Sequence, residues 1–156
     1  MARRRRAVKR PRVSDAKFNS ELVATFISHM MRRGKKSVAE RLVYGALNEI
    51  NKETGEEPVE FLSQALDNVK PRLEVKSRRV GGATYQVPVE VSDARQISLA
   101  LRWIVQFSGG RKGVPMERAL AIELIEAHKN QGSAVKKRED TFKMAQANRA
   151  FAHYRW

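Results

Sequence analysis

Leu22, Val23, Phe26, Ile27, Met30 and Met31 recur in pairs four residues apart. That is one apolar stripe on a helix of 3.6-residue period, and it predicts a helix over Ser20–Arg33. Gly34 follows as a left-handed stop. Ser37 and Glu40 have the spacing of a capping box for a second helix. Its buried face continues through Leu42, Val43, Ala46, Leu47 and Ile50, and Thr54-Gly55 ends it. Pro58 suits the first turn of a third helix, striped by Leu62, Ala65, Leu66 and Val69 and closed by Pro71.

The period then falls to two. Leu73, Val75 and Ser77 alternate with Arg72, Glu74, Lys76 and Arg78. Beyond Gly81-Gly82, Tyr85, Val87, Val89 and Val91 alternate with Gln86, Pro88 and Glu90. Two such runs around a glycine pair predict a β-hairpin, and Pro88 places its strand at an edge. A lone hairpin is marginal in water, so this one needs the helices or a partner to hold it.

Ser92 caps a fourth helix that runs to about Phe107 and stops at Ser108-Gly109-Gly110. Apolar residues wrap most of its circumference, which puts it inside the domain. Its polar gap is Arg95, Ser98, Arg102 and Gln106, a stripe that must reach the surface at a groove. Pro115 opens a fifth helix with Met116, Ala119, Leu120 and Leu124 inward, broken at Asn130-Gln131-Gly132. A sixth spans about Val135–Asn148, and Glu139-Asp140 suit a helix's first turn. The fold class is therefore mainly α: one domain of about six helices, with a protruding hairpin at about 72–91 between the third and fourth. The domain covers 20–149, between an arm at 1–19 and an aromatic-basic tail at 150–156.

Charge changes the picture. The chain has 156 residues, 31 Lys plus Arg, 17 Asp plus Glu and a net charge of +14. Residues 1–19 hold eight basic side chains and one acid, half of that excess. Like charges at this density repel, so the arm is expected to be disordered when unbound. No apolar core follows the arginines, which excludes a secretory signal, and their contiguity disfavours an organellar presequence. A nucleic-acid-binding arm fits best, because such arms bind phosphate by releasing counterions.

Other chemistries find little support. There is no cysteine, and His29, His128 and His153 lack metal-ligand spacing, so no metal or cofactor is expected. There is no nucleophile elbow or phosphate loop, which argues against an enzyme. No apolar run is long enough to span a membrane. Further basic groups sit at junctions and tips: Arg32, Arg33, Lys35 and Lys36 around Gly34; Lys76, Arg78 and Arg79 near the hairpin tip; Arg111-Lys112; and Lys136–Arg138 before the last helix. Spread this way, they form a multi-point clamp on a folded polyanion. The alternative is a DNA-binding regulator using the first two helices as a helix-turn-helix, although such a reader concentrates its polar side chains on one recognition helix.

Four long stretches carry a resemblance. They are Gly34-Lys35-Lys36 with its apolar flanks; Asn68–Arg72 with Ser77–Val91; Leu99–Trp103; and Ala147–Trp156. In this order they make the chain similar to the bacterial small-subunit ribosomal protein seven family over nearly its whole length, least so at Phe107–Val114. The resemblance implies a protein of the small-subunit head that binds the 3′ major domain of ribosomal RNA and nucleates head assembly. It implies RNA binding by Arg3, Arg4, Arg5, Arg6, Lys9, Arg10, Lys35, Lys36, Arg72, Lys76, Arg78, Arg79, Arg95 and Arg102. It implies a hairpin at the exit site near transfer and messenger RNA, through Arg78, Arg79, Val80, Gly81, Gly82 and Ala83. Tyr154, Arg155 and Trp156 become candidates for contact with platform protein eleven, or for an aromatic clasp on the domain's own core. Protein nine is implied as a head neighbour. Bacterial and plastid members share the pattern, so the implied compartment is the cytoplasm or a plastid.

Overall fold

The computed structural model describes residue 11 and residues 13–154. Arg3–Arg6, Lys9, Arg10, Arg155 and Trp156 lie outside the described residues. The elements run α1 (Glu21–Met30), α2 (Lys36–Thr54), α3 (Pro58–Val69), β1 (Leu73–Val80), β2 (Ala83–Glu90), α4 (Asp93–Gly110), α5 (Met116–His128) and α6 (Ser133–Ala147). A 3-10 helix, Arg149–Tyr154, follows. The mainly helical class and the hairpin's place between α3 and α4 are as the pattern predicts.

One core unites α1 to α5 with the start of α6. Phe26, Leu47, Phe61, Leu66, Leu101, Ile104 and Leu120 are among its largest fully buried side chains. α4 runs through this core and buries Leu99, Ala100, Leu101, Trp103, Ile104 and Val105. Its polar gap reaches solvent as expected: Arg95, Arg102 and Gln106 are exposed.

Local details depart from the pattern. α1 stops at Met30 rather than Arg33, and Met31 is exposed instead of joining the stripe. Arg33 and Gly34 both take left-handed φ, so the chain leaves α1 through a turn of its own. α2 begins at Lys36 with Lys35 at its N-cap and no side-chain cap, so Ser37 lies inside the helix and forms no capping box. α4 continues through Gly109 and Gly110, held in part by the buried Ser108 hydroxyl donating to the Ile104 carbonyl at 2.7 Å. α6 starts at Ser133, which moves Glu139-Asp140 past its first turn and puts Lys136–Arg138 inside the helix.

The hairpin turns on Gly81 and Gly82, whose φ values of 58° and 91° need residues without a Cβ penalty. Its register pairs Glu74 with Val89, Lys76 with Val87 and Arg78 with Tyr85. The apolar runs of the two strands therefore lie on opposite faces. One face carries Glu74, Lys76 and Arg78 beside Tyr85, Val87 and Val89; the other carries Leu73 and Val75 beside Pro88 and Glu90. Glu74 is consequently only 9% exposed. Its carboxylate accepts from Arg95 Nε at 2.9–3.0 Å and pairs with Lys76 Nζ at 3.0 Å. These bonds tie the hairpin's base to the start of α4.

The described end of the arm and the described part of the tail both dock more than their composition suggests. Asp15, counted above with the arm, is 7% exposed. It accepts from the Tyr44 hydroxyl at 2.5 Å and from the Lys17 and Phe18 amides at 3.0 Å. Phe18 packs on Tyr44, and Lys17 Nζ lies over both rings. At the other end, Tyr85 meets Phe151 at 5.3 Å and Tyr154 at 5.1 Å between ring centroids. Arg78 donates to the Tyr154 carbonyl. The 3-10 helix is thus a clasp on the hairpin.

Candidate nucleic-acid interface

The cations divide into those held within the fold and those offered to solvent. Arg111 belongs to the first set. It pairs with Glu123 at 2.6 Å and with Glu126, and Glu123 is 1% exposed. The other oxygen of Glu123 accepts the Ala134 amide at 2.9 Å, which caps the start of α6. The Glu123 hydrogen bond is the largest effect on Arg111 and, with Glu126, raises its pKa further against the pull of burial. Arg138 likewise donates to the Asn68 carbonyl and ties α6 to α3. Neither is an unengaged phosphate ligand, though both fall in basic runs of the sequence.

The second set lines a groove of about 750 Å³ between the end of α1, the start of α2 and the exposed side of α4. Arg32, Lys35 and Arg102 stand on its walls, with Gln106, Gly109 and Gly110. Its floor is apolar, from Val38, Ala39, Leu42, Val105 and Met116. His29 bridges the helices beneath: Nδ1 donates to the Thr25 carbonyl at 2.9 Å, and Nε2 lies 3.0 Å from the Ser98 hydroxyl. The α4 stripe and the Gly34 turn, 60-odd residues apart in the chain, thus converge on one concave surface. Among the described residues, the side chains of Arg32, Lys35 and Arg102 carry no ion pair or hydrogen bond. Lys36 reaches Glu40 at 3.5 Å while staying exposed.

The hairpin presents Arg79, Gly81, Gly82 and Ala83 exposed at its tip, with Val80 partly covered. Lys76, Arg78 and Arg95 are committed to Glu74 and the Tyr154 carbonyl, yet Lys76 and Arg95 keep about half their surface in water (45% and 49%). They can shape the field around the hairpin while holding it. Arg72 is exposed at the hairpin's root. Arg32 stands on the groove's wall although the family resemblance does not single it out; its sequence signal is its place in the basic cluster around Gly34.

Two carboxylates have shifted titration. Burial pushes Glu74 up, but the bonds from Arg95 and Lys76 outweigh it, so its carboxyl sits below the ordinary range. Asp15 is likewise pushed up by burial and carried below its usual value by Tyr44 and the turn amides. The same bond, with burial, pushes the Tyr44 phenol up to about 12.

An overall positive charge, a basic groove and an exposed Arg79 at the hairpin tip are the electrostatic features of a surface that suits a polyanion. The model of the family "Ribosomal protein S7p/S5e" matches residues 2–149. The chain belongs to the ribosomal protein S7 family. It is 57% identical, over the full length of both chains, to a small ribosomal subunit protein uS7 of Akkermansia muciniphila. Proteins of the same description from Geobacter sulfurreducens and Mycolicibacterium vanbaalenii are each 56% identical, again over the whole of both chains. The family is one of structural, non-enzymatic components of the small ribosomal subunit. Among the described residues, no helix is long and apolar enough to cross a membrane.

Proposed function

We propose that the chain is a structural component of the small ribosomal subunit that binds the 3′ major domain of its ribosomal RNA and seeds assembly of the head. The carrying observation is the convergence of Arg32, Lys35 and Arg102 on one groove with no partner for their side chains among the described residues. Cations left unpaired around a concave surface suit the phosphates of a folded RNA, and arginine's fork also stacks on exposed bases. The basic arm adds a second grip through Arg3–Arg6, Lys9 and Arg10, with Lys36, Arg72, Lys76 and Arg95 supporting the surface between.

The hairpin is the third element. Its tip, from Arg78 to Ala83, stands away from the core and suits the exit site, beside transfer RNA and messenger RNA. The chain's C-terminal end, with Tyr154 held on the hairpin by Tyr85 and Arg78, is the part this reading assigns to the platform and protein eleven, through Tyr154, Arg155 and Trp156, with protein nine as a head neighbour. The cytoplasmic or plastid ribosome is the compartment this reading requires. Co-sedimentation tests it: the full chain should enter particles with naked small-subunit RNA in magnesium buffer, and should do so before most other head proteins are added. A chain that stays at the top of the gradient would remove the reading.

A further inference from the structure

Phe142 sits on the exposed side of α6 with 52% of its surface in water. It stands between two grooves. On one side, about 460 Å³ is lined by the apolar surfaces of Leu73, Pro88, Ala145 and Ala152. On the other, about 400 Å³ is bordered by Arg72 and Lys143. Acids line both grooves, so the charges must be sorted. Asp67 is taken by Lys70 at 2.6 Å, and Glu139 lies 3.5 Å from Arg138. Glu90 lies in the apolar groove together with Arg149. Arg72 and Lys143 remain, both exposed and without a side-chain partner among the described residues.

We propose that Phe142 is a stacking platform for one unpaired RNA nucleotide, whose base lies in the Leu73–Pro88 groove while its phosphate meets Arg72 and Lys143. This rests on RNA being the chain's partner, and adds a site on the face formed by α6 and the hairpin root. An aromatic ring beside two unpaired cations matches a nucleotide in both its parts: a π-face for the base and charge for the phosphate. An apolar segment of a protein would satisfy the ring and leave Arg72 and Lys143 unmatched.

The ring is half exposed, so its loss should leave the fold's melting temperature nearly unchanged. The probe is the isolated 3′ major domain RNA, bound by the full chain and its variants across a salt series. Phe142→Leu keeps the apolar volume and removes the ring. It should weaken binding about fivefold or more, the scale of one lost base stack, without changing the salt slope, because stacking releases no counterions. Phe142→Tyr should restore wild-type affinity. If the wild type binds tightly and Phe142→Leu binds equally well, the platform is wrong and the RNA reading stands. If the wild type does not bind this RNA, both fall. A benzoylphenylalanine photocrosslinker at 142 in assembled subunits separates the partners: an adduct to RNA supports the platform, and an adduct to a protein overturns it.

Discussion

The ring centroids of Tyr85 and Tyr154 lie 5.1 Å apart, joining the second hairpin strand to the end of the 3-10 helix Arg149–Tyr154. Arg78, on the neighbouring strand, donates to the carbonyl of the same Tyr154. The C-terminal 3-10 helix therefore braces the hairpin, and the aromatic clasp on the domain's own surface is the contact Tyr154 makes. Tyr85→Ala removes two ring contacts, each worth about 1 kcal/mol. Amide exchange across Ser77–Gln86 should then speed up roughly tenfold or more, while global melting falls by only a few degrees. A large drop in melting temperature with unchanged hairpin exchange would contradict the brace.

Glu74 and Asp15 make stability depend on acid. Both carboxyls sit below their ordinary values in the fold. Their contribution is complete above the unfolded carboxylate range, near pH 4, and is lost as pH falls through the lower folded values. Thermal melting followed from pH 6 to pH 2 should decline more steeply in the wild type than in an Asp15→Asn, Glu74→Gln variant. Parallel curves would show that neither bond set matters to folding.

The fold tells two kinds of arginine apart. Arg111→Ala strands Glu123, 1% exposed, without its cation. The expected loss is about 3 kcal/mol, read as a lower denaturation midpoint. Adding Glu123→Gln should recover part of it, since the amide oxygen can still accept the Ala134 amide. Arg102→Ala should leave the midpoint alone.

The reverse pattern is expected in RNA binding. Arg102→Ala removes one phosphate contact and should lower the salt slope by about 0.7–0.9. Removing residues 1–12 should lower it by several units and spare the melting temperature, because Asp15 and the turn that docks on Tyr44 remain. A slope unaffected by both changes would place the phosphate contacts elsewhere.

The helices were legible because burial repeats at 3.6 residues, and the stripe of Arg95, Arg102 and Gln106 showed where the internal α4 must meet solvent. The hairpin was legible from Gly81-Gly82 and the change of period. Its register was not: both strands alternate, and alternation alone does not say that the apolar runs fall on opposite faces. That depended on Arg95 neutralising Glu74 from another element. Glu123 and Asp15 were hidden for the same reason. Each is an acid whose partners, Arg111 and Tyr44, are 12 and 29 residues away and leave no local periodicity. The groove was half legible. Its two basic borders were marked in the sequence, but their meeting was a product of α1 packing against α4.

The central claim is specific recognition of one RNA domain, and the direct measurement is affinity at equal salt. The full chain should bind the 3′ major domain of small-subunit ribosomal RNA far more tightly than an unrelated folded RNA of the same length or duplex DNA, with the preference persisting as salt rises. Equal affinities for all three would mean that the +14 charge acts as a generic attraction to phosphate, and the account would be contradicted.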